Sequence, residues 1–142
     1  MLSRITKKKA KIEKILVVDD EPDIVMLLKQ FLEHKGYEVI SAANGAEGLE
    51  KAINEEPDLV LLDTLMPIMN GLEMLERLRK LSDSRIPVIM VTALDEAKDI
   101  SVAVTLEIED YITKPIDFTL LYEKIADILE SKHKQKTACD KS

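Results

Sequence analysis

The stretch LVLLDTLMP, Leu59 to Pro67, decides how this chain is read, because it drives an apolar run straight into a carboxylate, Asp63. Leu59 to Leu62 show no period of two, which suits a strand covered on both faces by helices in a parallel sheet. Such sheets bind ligands at the carboxyl ends of their strands. Taken alone, Asp63 also reads as a cap on a turn or helix. Where the other strands end settles the matter.

Working outward, strand and helix alternate five times. Ile15 to Val18 is the first apolar run, followed by Asp19, Asp20, Glu21 and Pro22, a residue suited to the first helical position. Ile24, Leu27, Leu28, Phe31 and Leu32 then stripe an amphipathic helix that Gly36 is placed to stop. The mixed run 37–42 reads as an edge strand. Asn44 with Glu47 resembles a capping box, and Ala46, Leu49 and Ile53 form the expected buried stripe of the second helix. Downstream of Asp63, a loop from Met66 to Gly71 leads into a third helix facing inward through Leu72, Leu75 and Leu78. Val88 to Val91 is the fourth run and ends in Thr92. The fourth helix, from about Glu96 to Thr105, is weakened by the β-branched Val102, Val104 and Thr105. Tyr111 to Thr113 is a short fifth strand ending at Lys114-Pro115, and Phe118, Leu121, Ile125, Ile128 and Leu129 stripe the last helix. Residues 131 to 142 read as a frayed polar tail.

With 142 residues, 46% of them hydrophobic, the chain suits one domain able to bury its own core. The expected division is a basic tail over 1–13, the folded domain over 14–131 and a polar tail over 132–142. No apolar run approaches the roughly 18 residues that span a bilayer, and the Lys-rich start is not followed by an apolar stretch long enough for the core of a signal peptide, so a cytoplasmic protein without membrane attachment is expected. Cys139 stands alone, which excludes an intramolecular disulfide. Arg4, Lys7, Lys8, Lys9, Lys11 and Lys14 against Glu13 make the first segment +5 and leave −12 for the rest of a chain of net charge −7. A body that acidic argues against direct DNA binding.

Strict alternation with short connections implies an α/β fold, a doubly wound five-stranded parallel sheet in the order 2-1-3-4-5, with strands 1, 3 and 4 central. Asp19 and Asp20 then close strand 1, Asp63 closes strand 3, Thr92 strand 4 and Lys114 strand 5, all on one rim. Three carboxylates held together repel unless a cation sits among them. Oxygen ligands without His or Cys select Mg²⁺, with Mn²⁺ as the alternative. A metal, an ammonium and a hydroxyl around one carboxylate suit phosphoryl transfer onto that carboxylate, and Asp63, from the most buried strand, is the expected nucleophile.

With these residues in place, the chain from about Glu13 to Ser131 resembles the receiver domain of two-component response regulators, a flavodoxin-like fold. The acidic pair is Asp19-Asp20 in ILVVDDEP, the phosphoacceptor Asp63 in LLDTLMPIMNG, the hydroxyl Thr92 in VIMVTA and the lysine Lys114 in DYITKP. The resemblance implies Mg²⁺ held by Asp20, Asp63 and the backbone carbonyl of Leu65, with Asp19 assisting through water. It implies a histidine kinase, a histidine phosphotransfer protein or acetyl phosphate as donor. Thr92 and Tyr111 are the implied switch pair, the face of helix 4, strand 5 and helix 5 is the implied output surface, and Pro115 is the implied cis-proline. No enzymatic activity beyond self-phosphotransfer and self-dephosphorylation is expected.

Two departures from the receiver pattern stand out. Glu107 and Ile108 replace the usual Gly-Ala before strand 5, so the residue that commonly takes the left-handed turn there is missing. Leu65 and Leu94 occupy two variable positions flanking the site that, by the resemblance to receivers, tune the lifetime of the phosphorylated state, and their bulk predicts slow loss of phosphate. Met66, Met69 and Met74 read as loop and core filler, and His34 and His133 as surface residues. With only a polar tail after the last helix, signalling through a downstream protein target is favoured, with the oligomeric state open. A receiver-like interaction module that is not phosphorylated is the alternative. A phosphatase with an aspartyl nucleophile would need a second acid where Thr64 and Leu65 stand.

Overall fold

Alternate residues of the central strands point to opposite faces, and in this chain both faces are apolar. The computed structural model describes residues 12–81, 85–93 and 97–141, with 97–100 and 133–141 as backbone alone. The basic segment before Ile12, together with Leu94 and Glu96, falls outside the described residues, as do the side chains of His133 and Cys139. The elements run β1 (Lys14–Val18), α1 (Pro22–His34), β2 (Glu38–Ala42), α2 (Gly45–Glu55), β3 (Leu59–Asp63), α3 (Gly71–Leu81), β4 (Val88–Thr92), α4 (Ala97–Thr105), β5 (Asp110–Thr113) and α5 (Phe118–Lys141). All strand pairs are parallel and the order is β2-β1-β3-β4-β5, as the alternation predicts.

One face of the sheet sets Ile15, Val17, Leu59, Leu61, Ile89 and Val91 against Leu28 and Leu32 of α1 and Leu121, Ile125 and Leu129 of α5. The other sets Leu16, Val18, Val60, Leu62, Val88 and Met90 against Ala52 of α2, Met74, Leu75 and Leu78 of α3 and Ala103 of α4. This explains the missing period of two in β3, whose five residues are all buried. Met74 is core, while Met66 and Met69 pack half-buried against it, consistent with a filling role. An edge-to-face contact between Phe31 and Phe118, ring centroids 5.2 Å apart, joins α1 to α5.

Several local expectations need correction. Helix α2 buries Gly45, Gly48 and Ala52, whereas Ala46 is exposed, Leu49 is half-buried and Ile53 is 45% exposed. The cause is close approach: a Cβ at Gly48 would stand 2.9 Å from Met74 Sδ and from the Val18 methyls. The helix therefore faces the sheet with its smallest residues, and size outweighs hydrophobicity. In α1, Leu27 is 50% exposed and Val25 packs on the core instead. Helix α5 continues through the expected polar tail to Lys141, because nothing between 131 and 141 is Gly or Pro.

The turn after α4 keeps its left-handed residue without glycine. Glu107 itself takes φ 64, a conformation that costs a non-glycine residue roughly 1–2 kcal/mol. Arg79, at the end of α3, offsets this by spreading its guanidinium over three backbone carbonyls: Nε to Leu106, Nη1 to Ile86 and Nη2 to Glu107, each at 3.0 Å. Arg85 adds an ion pair to Glu107 at 3.4 Å. The end of α4 is thereby fixed to α3 and to the approach to β4.

Candidate functional site

Four strand ends meet at one rim. Asp63 is the last residue of β3 and lies opposite Val91, and Thr92 closes β4 opposite Thr113 of β5. Asp19 follows β1, its N–H donating to the Ala42 carbonyl at 3.1 Å, and Lys114 follows β5, its N–H donating to the Thr92 carbonyl at 2.9 Å. The backbone ladders thus continue past the strands and carry each side chain to the rim. The Lys114–Pro115 peptide is cis.

The β3–α3 loop is tied at both ends. Asn70 and Glu73 form a reciprocal capping box, Glu73 N–H to Asn70 Oδ1 at 2.9 Å and Asn70 N–H to Glu73 Oε1 at 3.1 Å. Gly71 N–H donates to the Thr64 carbonyl at 2.9 Å. A Cβ on Gly71 would run into the Asp63 carbonyl oxygen, so glycine is required for α3 to start directly beneath the acid. The Asn44 box at α2 also forms, with Asn44 Oδ1 accepting from Glu47 N–H at 2.9 Å, although Glu47 reaches back to the N–H of Ala43.

Asp19, Asp20 and Asp63 each offer a carboxylate oxygen, and these lie within 4.8 Å of one another. Asp63 is 5% exposed and Asp19 4%, while Asp20 faces solvent. Burial, and then the charge of Asp19, pushes the Asp63 carboxyl up from 3.8 to about 6 against the pull of Lys114. Burial also raises Asp19, with the Glu21 N–H at 2.9 Å and Lys114 acting to lower it. For Lys114 burial works to lower the ammonium, but Asp19 and Asp63 outweigh it and the net shift is upward. Such a donor set, all carboxylate oxygen with one ligand open to water, fits a hard divalent cation.

The Lys114 ammonium stands 3.3 Å from Asp63 Oδ1 and 3.8 Å from Asp19 Oδ2. It also stands 3.3 Å from Glu21 Oε1, a partner the sequence reading does not assign. A cavity of about 270 Å³ opens here, lined by Asp20, Glu21, Asp63, Leu65, Ala93 and Lys114. Thr92 does not line it; its side chain is buried and its hydroxyl donates to the Ala93 carbonyl at 3.3 Å. Tyr111 also lies apart, 44% exposed beside a second groove with Leu120 and Lys124. His34 is exposed on α1. Among the described residues no helix is long and apolar enough to cross a membrane.

Comparison with known proteins agrees with this geometry. Residues 15–126 match the response regulator receiver domain. The chain is 47% identical over 103 residues to the alkaline phosphatase synthesis transcriptional regulatory protein PhoP of Bacillus subtilis, covering 72% of this chain and 42% of that protein. It spans about half the length, or less, of several such relatives. Protein PilH of Pseudomonas aeruginosa is 39% identical over 117 residues, with 82% of this chain and 97% of PilH covered. A CheY-like response regulator receiver domain protein from Methanospirillum hungatei superposes with a TM-score of 0.83 at 38% identity, covering 88% of this chain and 99% of that one. With the sheet order, the acid cluster at the strand ends and these likenesses together, the chain belongs to the response regulator receiver domain family.

Proposed function

We propose that this receiver accepts a phosphoryl group on Asp63 in a Mg²⁺-dependent reaction and signals the change through protein contacts. The observation that carries the proposal is the acid cluster with Lys114 Nζ 3.3 Å from Asp63 Oδ1. An Asp63 oxygen attacks the phosphorus of a phosphohistidine on a histidine kinase or histidine phosphotransfer protein. The P–N bond breaks and its electron pair returns to the imidazole nitrogen. With acetyl phosphate the P–O bond breaks and acetate leaves. Water later attacks the phosphorus, releasing inorganic phosphate and restoring the Asp63 carboxylate.

Lys114 neutralises charge on the phosphoryl oxygens, and Thr92 is placed one strand away to donate a hydroxyl once it turns toward them. A carboxyl near 6 is mostly ionised around neutral pH, so Asp63 is available as a nucleophile. Mg²⁺ held by Asp20, Asp63 and the Leu65 carbonyl, with Asp19 acting through water, would supply the further positive charge that the transfer needs. Output is assigned to the face of α4, β5 and α5, where Val102, Val104, Tyr111 and Leu120 are 50%, 60%, 44% and 42% exposed. That much exposed apolar surface suits a protein partner better than solvent.

Calorimetric Mg²⁺ titration of the wild type and Asp20→Asn tests the chemistry. Saturable binding to the wild type, weakened in the variant, is expected. Absence of binding to either would favour an interaction module that is not phosphorylated.

A further inference from the structure

Glu21 sits at the N-cap of α1 with an extended backbone (φ −96, ψ 106), and its side chain makes no capping bond. Its N–H is held by Asp19 Oδ1 at 2.9 Å and Pro22 follows it, so the backbone is fixed while the carboxylate turns over the pocket. There Oε1 meets Lys114 Nζ at 3.3 Å, the same distance that separates Nζ from Asp63. One ammonium is therefore divided among Asp63, Glu21 and Asp19.

From this division we infer that Glu21 is a positioning residue that competes with the phosphoryl group for Lys114, and so restrains both the loading of Asp63 and the lifetime of the adduct. The inference rests on the phosphoacceptor reading above. For the ammonium to reach a phosphoryl oxygen, one present acceptor has to be released. Glu21 is the easiest to give up, because its side chain is 59% exposed and water can replace the lysine, whereas Asp19 and Asp63 are buried. Once released, the Glu21 carboxylate lines the same cavity as the incoming phosphoryl group and repels it. Both effects oppose the phosphorylated state, and neither needs Glu21 to touch the reacting atoms.

The test compares wild type, Glu21→Gln and Glu21→Asp for the rate of loading from acetyl phosphate with Mg²⁺, read by intact mass. Affinity for beryllofluoride, an unreactive phosphoryl mimic, is measured in parallel by NMR. Glu21→Gln is expected to load roughly two- to fivefold faster, the range of an ion pair at the surface. It is expected to bind beryllofluoride more tightly by a similar factor, with Glu21→Asp intermediate. The advantage should shrink as salt rises toward about 1 M, which a purely structural role would not produce. Equal or slower loading by Glu21→Gln, or a gain indifferent to salt, overturns the inference. Lower Mg²⁺ affinity with slower loading would place Glu21 among the metal ligands and overturn it equally. If the wild type takes no phosphoryl group, the phosphoacceptor reading itself has failed, and the inference with it.

Discussion

Replacing Asp63 by Asn removes a charge that the fold has to bury, and the consequence for stability has a definite sign. The carboxyl is 5% exposed and titrates at about 6 rather than 3.8, chiefly because of burial. The folded protein therefore holds more protons than the unfolded chain between those two values, so stability falls as pH rises through them and levels off above the folded value. The difference between 3.8 and about 6 corresponds to about 3 kcal/mol at neutral pH. Asn keeps an oxygen for Lys114 and removes the ionised form. In EDTA, Asp63→Asn should be more stable than wild type by about 1–3 kcal/mol near pH 7.5, with the gain vanishing near about pH 4. The chain has no Trp, so urea unfolding is best followed by far-ultraviolet circular dichroism. Adding Mg²⁺ should stabilise the wild type and narrow the gap. An Asn variant no more stable than wild type near neutral pH, or a gap equal at both pH values, would refute the reasoning.

Other perturbations bear on the supports of the site. Gly71→Ala drives a methyl group against the Asp63 carbonyl and should destabilise by about 2 kcal/mol or more; an unchanged melting temperature would show that α3 can shift away freely. Arg79→Met strips the N–H donors from the carbonyls of Ile86, Leu106 and Glu107 and should cost about 2–4 kcal/mol. Hydrogen exchange in the last turn of α4 should accelerate with it, and Arg79→Lys should restore only part, since an ammonium cannot fork. Leu65 lines the pocket and is 62% exposed; Leu65→Asn should speed loss of the phosphoryl group several-fold, and an unchanged rate would end the shielding idea.

The sheet is legible because β1, β3 and β4 are apolar on both faces, and the candidate site because its acids stand at the carboxyl ends of such strands, Asp63 as the last residue of β3 and Asp19-Asp20 just after β1. Arrangements that depend on distance in space were harder to see. The Glu21 and Lys114 side chains meet across a sequence separation of 93, and the only local hint is that Glu21 extends the acidic pair by one. The buried face of α2 is not legible from spacing, because hydrophobic spacing favours Leu49 and Ile53, whereas close packing selects Gly45, Gly48 and Ala52. Absence of glycine at position 107 left the end of α4 open. What holds Glu107 left-handed is Arg79, twenty-eight positions earlier in the chain and therefore invisible to any local pattern.

Intact mass after incubation with acetyl phosphate tests the central claim most directly. The account predicts a single phosphoryl increment on the wild type in Mg²⁺, none in EDTA and none on Asp63→Asn. A wild type that stays unmodified and binds no Mg²⁺, or an increment that forms equally on Asp63→Asn, would contradict it.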